Sequence, residues 1–128
     1  GLYNGKRIMS PQTVFRATLP TSTTTIDRTL LAPMRYALGP MLGSNPVGIF
    51  GPQTGQAFGH LGFSNILCWA DPERDISISI LTTGKSVIGT HLTALANVLL
   101  QVSTQCPKIS KEQRRGLFGT DASETDLV

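Results

Sequence analysis

The sequence predicts an α+β fold: an antiparallel sheet meander with a C-terminal helix packed on it. Three observations carry this. Residues 75–83 alternate, with Ile76, Ile78 and Ile80 on one face and Ser77 and Ser79 on the other. A period of two marks a half-buried strand. Residues 90–104 switch to a helical period, in which Leu92, Leu95, Ala96, Leu99 and Leu100 form an apolar stripe. Short reversals separate the apolar segments, above all Asp71-Pro72-Glu73-Arg74, where proline is placed to start a turn.

The elements follow in order. Asn4-Gly5 reads as a tight turn. Ser10-Pro11 reads as a helix start, because serine caps and proline at the first helical position loses no hydrogen bond. That helix runs to about Thr18 and ends before Pro20. Residues 21–25 are Ser/Thr-rich, and their hydroxyls compete for backbone groups, so a loop is expected. Residues 35–42 read as one strand interrupted at Gly39-Pro40. Residues 44–55 are rich in Gly, Pro and Asn and read as a loop crossing the surface. Residues 57–62, 64–70 and 75–83 are expected to form the meander. Trp69 is expected in the core, and Cys68 is expected to be an inert buried thiol. Thr90 is a candidate cap for the long helix, and Pro107 stops it. Residues 1–106 thus form the folded part. Residues 107–128, with four positive and four negative charges after Pro107, read as a mobile tail.

Composition narrows the function. The chain has 128 residues, 15% charged and 40% hydrophobic, with a formal net charge of +3. No dense basic patch appears, which argues against a nucleic-acid binder. No run of 18 apolar residues exists, so no membrane span is expected. Cys68 and Cys106 are too few for a disulfide framework. His60 and His91 stand 31 residues apart with no metal-ligand spacing around them, so no metal or organic cofactor is implied. Residues 29–70 hold one charged side chain, Arg35. So long a neutral stretch is expected to be buried, or to face something that buries it.

The informative text is Phe58-Gly59-His60-Leu61-Gly62-Phe63, followed by Cys68-Trp69-Ala70-Asp71-Pro72-Glu73-Arg74. It resembles the third motif of the serine beta-lactamase-like family, which holds class C beta-lactamases, DD-peptidases and related esterases. There a strand carrying Lys-Thr-Gly or His-Thr-Gly borders the active site. A second strand ending in Asp-Pro-Glu-Arg or similar follows, then a third strand and the C-terminal helix. Upstream, Asn4-Gly5-Lys6-Arg7-Ile8-Met9-Ser10-Pro11 and Arg35-Tyr36-Ala37-Leu38-Gly39 are similar too, so the resemblance covers roughly residues 1–105.

The resemblance implies that His60 and Gly62 line a substrate site and that the Phe63 backbone N–H is an oxyanion-hole donor. A glycine there lets a substrate approach the backbone closely. A donor aimed at a tetrahedral intermediate is worth a few kcal/mol. The chain departs from the pattern at Leu61, where relatives carry threonine, and an apolar residue there leans toward a hydrophobic ester. Ser64-Asn65 stand where relatives often carry Gly or Ser. The nucleophile motif Ser-x-x-Lys occurs at none of the ten serines, and Tyr-x-Asn is absent as well.

With a start at Gly1 rather than Met and no leader in view, the expectation is the C-terminal part of a serine hydrolase. Its nucleophile would sit on a missing N-terminal part of the same fold or on another chain. The implied substrates are a small-molecule ester, a beta-lactam or a peptide. The alternative is a non-catalytic structural or assembly protein that keeps the sheet without the chemistry.

Overall fold

The computed structural model describes residues 2–62, 66–83, 89–110 and 112–113. Strands β1 (Leu2–Tyr3) and β2 (Lys6–Arg7) pair antiparallel about Asn4-Gly5, at φ 48° and 72°. Two positive φ values in a two-residue loop match the twist of the strands they join. Helix α1 (Pro11–Thr18) begins as expected: Ser10 Oγ accepts the Thr13 N–H at 3.1 Å, and Pro11 takes the first position. Leu19 turns extended before Pro20, as the residue preceding a proline must.

Two expectations fail in the next segment. Thr25 is not loop but starts a strand, β3 (Thr25–Asp27), which pairs with β4 (Ala32–Tyr36). Residues 35–42 are not one interrupted strand. The chain reverses after Tyr36 into β5 (Met41–Leu42), with the Ala37 N–H donating to the Pro40 carbonyl and Gly39 at φ 122°. What reads as an interruption is a hairpin bend.

Residues 44–55 do not cross the surface as a loop. They form a small hairpin, β6 (Val47–Gly48) with β7 (Gly51–Pro52), whose tip carries Phe50 fully into the core. The Phe50 ring stacks on Trp69 with centroids 5.7 Å apart. Burying an aromatic pair there outweighs the turn-like composition around it.

The meander then runs through β8 (Phe58–Leu61), β9 (Leu67–Asp71) and β10 (Ile76–Ile80). Among the described residues these join one six-stranded sheet of order β10-β9-β8-β5-β4-β3, antiparallel at every neighbour. The α+β class and the meander are therefore as expected. Leu67, Trp69 and Asp71 of β9 are buried on the inner face, and the three isoleucines of β10 stand opposite them in register. Cys68 points the other way and is exposed, contrary to the buried thiol expected. Strand alternation puts it on the outer face, whatever the apolar character of its neighbours. Both cysteines are free.

Helix α2 (His91–Gln105) covers the inner face over the β6–β7 hairpin. Leu99 is buried, and Leu95 and Val102 pack partly against the core. Leu92, Ala96 and Leu100 are exposed, so the buried stripe is narrower than the sequence suggests. A Cβ on Gly51 would lie 3.0 Å from the Leu99 carbonyl, so glycine permits the close crossing. Thr90 does not cap: its own backbone is helical, and its side chain makes no capping bond.

After Pro107 the chain is tied back to the sheet. The Ile109 N–H donates to the Glu73 carbonyl at 2.9 Å, and Lys108 pairs with Glu73 at 2.7 Å. The remainder of the expected tail, beyond residue 113, lies outside the described residues. No helix is long and apolar enough to cross a membrane among the described residues.

Candidate functional site

Strand β8 carries the informative motif, and its two neighbours set what each residue faces. Gly59 sits opposite Trp69, and a Cβ there would overlap the Cys68 carbonyl and the Trp69 Cα. Glycine is therefore what lets β8 and β9 approach. His60 stands opposite Cys68, which stands opposite Ser79, in an exposed row on the outer face. Leu61 stands opposite Leu67 and faces inward against the core.

The β5 side of β8 is open past Gly59. Pairing with β5 ends at Met41↔Gly59, because the chain before Met41 turns away through Gly39-Pro40. Among the described residues the Leu61 N–H on that edge meets only the Met41 thioether, at 3.4 Å. Sulfur of this kind is a weak acceptor, so this donor remains available to a stronger one. On the β9 side the Gly62 N–H closes the strand end by donating to the Ile66 carbonyl at 2.6 Å.

Gly62 differs from Gly59. A Cβ at 62 would be 3.4 Å from the Ile66 carbonyl, an ordinary contact. Packing among the described residues therefore does not require glycine at 62.

Leu61 and Gly62 border an apolar groove of about 430 Å³. Met34, Ile49, Leu67 and Leu95 form other parts of its wall, and none of the described residues lining it is charged. Its rim is the β3–β4 turn, which Asp27 organises. One Asp27 oxygen accepts the Thr29 and Leu30 N–H groups at 2.8 and 2.9 Å, and the other accepts the Tyr36 hydroxyl at 2.6 Å. The Tyr36 bond, then the two backbone bonds, hold the Asp27 carboxyl below its ordinary pKa. The same bond pushes the Tyr36 phenol up to about 12.

Of the residues expected in the site, His60 and Gly62 are adjacent to Leu61 but on different sides. His60 is on the outer face, whereas Gly62 is on the groove. Phe63, expected as a backbone donor, lies outside the described residues, as do Ser64 and Asn65. No serine or cysteine hydrogen-bonds His60 among the described residues. No cluster of metal-binding side chains occurs among them either. The arrangement can bind and orient an apolar group beside a free strand edge.

Sequence reasoning missed the groove. Leu61 counted only as a departure from a motif, and Ile49 sat in text read as loop. The one available signal was the apolar Val47-Gly48-Ile49-Phe50 within an otherwise turn-forming stretch. No family model, curated protein or solved structure matches the chain.

Proposed function

We propose that the chain is the C-terminal part of a beta-lactamase-like serine hydrolase acting by acyl transfer on an ester or amide. The observation that carries this reading is the open β8 edge at Leu61, bordered by a groove with no charge among its described lining residues. A strand edge whose N–H has only a weak thioether acceptor suits binding of a substrate carbonyl, and donors placed where oxyanion charge develops accelerate acyl transfer. The apolar wall favours an ester with a hydrophobic group over a charged peptide. The Ser-x-x-Lys nucleophile is not in these 128 residues, so the acyl-enzyme forms on a serine supplied from elsewhere. Gly62 and the Phe63 N–H keep the roles that the resemblance implies, whereas His60, on the outer face, does not line this groove.

A fluorophosphonate or penicillin probe on the longer protein tests this. Labelling of a serine in a Ser-x-x-Lys motif is the expected result. A well-folded full-length protein that takes no label removes the reading. The 128-residue chain alone is expected to turn over no ester.

A second reading is a non-catalytic structural or assembly protein. The apolar surface favours it: α1 has no buried residue and leaves Phe15 63% exposed, and Leu31 and Leu38 are each 74% exposed. Such side chains suit a protein partner. Absence of probe labelling together with a stable complex would select it.

A further inference from the structure

Arg35 is the one charged residue within positions 29–70, and β4 places it on the face of the sheet opposite the groove. It is half-buried, and its Nη1 donates to the Gly43 carbonyl at 3.0 Å. Among the described residues that carbonyl is its one acceptor, and no carboxylate pairs with it. A guanidinium has five N–H donors. Arg74 shows what this fold does with a buried arginine that is structural: it has a carboxylate at 2.6 Å and backbone carbonyls from two other segments. Arg35 has no such set.

Arg35 also lines a cavity of about 200 Å³ between α1 and the sheet. Leu42, Phe58, Val14 and Pro20 give it apolar walls. The Thr18 hydroxyl in that wall already donates to the Val14 and Phe15 carbonyls. Arg35 is the one charged residue among those lining the cavity, beside the neutral Gln56 amide, which suits a single negative charge. At about 30 Å³ per water-sized group, the space holds roughly seven non-hydrogen atoms.

We infer that this cavity binds a short-chain monocarboxylate, with the carboxylate on Arg35 and four or so carbons against Leu42, Phe58 and Val14. Planar two-point pairing is what a guanidinium offers a carboxylate. The site lies on the other face of the sheet from the groove and does not depend on the hydrolase reading.

Butyrate titrated into the ¹⁵N-labelled chain tests it, read at the Arg35 Nε–Hε signal. A saturable shift is expected, with a Kd on the order of 1 mM for so small a ligand. Arg35→Met should weaken binding at least about tenfold, since a charge-assisted bond is lost. Val14→Trp, which fills the cavity and keeps Arg35, should also abolish it. n-Butanol, with the same number of carbons and no charge, should not compete. Absence of saturation, equal binding by butanol, or unchanged binding in a folded Arg35→Met or Val14→Trp variant would overturn the assignment. Capped glutamate provides the remaining arm. Binding tighter than butyrate would transfer the site to an acidic side chain of a protein segment and remove the small-molecule ligand.

Discussion

Asp27 and Tyr36 show how one short hydrogen bond moves two titrations in opposite directions. The Tyr36 phenol is raised to about 12, so the stability it confers is complete below the ordinary value of about 10. It is lost as pH rises from there through about 12. The Asp27 carboxyl is lowered, so its contribution is complete above 3.8 and is lost as pH falls through the lowered value. Absorbance titration of a Tyr3→Phe chain should find the Tyr36 phenol near 12, and adding Asp27→Asn should return it toward about 10. Glycines 59 and 62 form a second residue-scale contrast. Gly59→Ala forces backbone apart and should cost about 1–3 kcal/mol in denaturant unfolding. Gly62→Ala meets only ordinary contacts and should stay within about 0.5 kcal/mol. On the proposed hydrolase reading, the same substitution in the longer protein should still lower ester turnover.

At the scale of elements, what was legible in the sequence rested on local rules. Ser10-Pro11 announces α1 because the cap and the missing N–H act within one turn. The isoleucine alternation announces β10 because one buried face imposes a period of two. Elements misread are those that distant packing decides. β3 is three residues long and exists because β4 lies beside it. The β6–β7 hairpin is Gly- and Pro-rich yet holds Phe50 against Trp69, which no local pattern reveals. The candidate groove needs Ile49, Leu61 and Leu95 from three separate elements, so only half of it, the β8 motif, could be seen along the chain. The β3–β4 turn carries a further prediction. Leu31 there sits at φ 53°, a region that costs a side chain about 1–2 kcal/mol. Leu31→Gly should stabilise the fold by up to about 1 kcal/mol after glycine's entropy is counted, read as a raised unfolding midpoint.

At the scale of the whole molecule, the core lies on one side of the sheet, between it and the layer of β6–β7 and α2. Phe50→Ala empties the centre of that layer and should destabilise the fold by about 3–5 kcal/mol in thermal or urea unfolding. The neutral stretch 29–70 supplies most of the core, as its composition suggests, while Leu31 and Leu38 remain outside it. The pair Asp71–Arg74 has a wider reach than its position in a turn implies. Its guanidinium bonds Asp71 at 2.6 Å, the Gln53 carbonyl at 3.0 Å and the Cys106 carbonyl at 2.9 Å. These belong to a strand end, a hairpin and a helix end that are far apart along the chain. One side chain thus couples their opening equilibria. In native-state hydrogen exchange, the Gln53, Arg74, Cys106 and Ile109 amides should exchange with a common opening free energy. Arg74→Met should split that unit into separately opening parts, because the segments would no longer share an anchor.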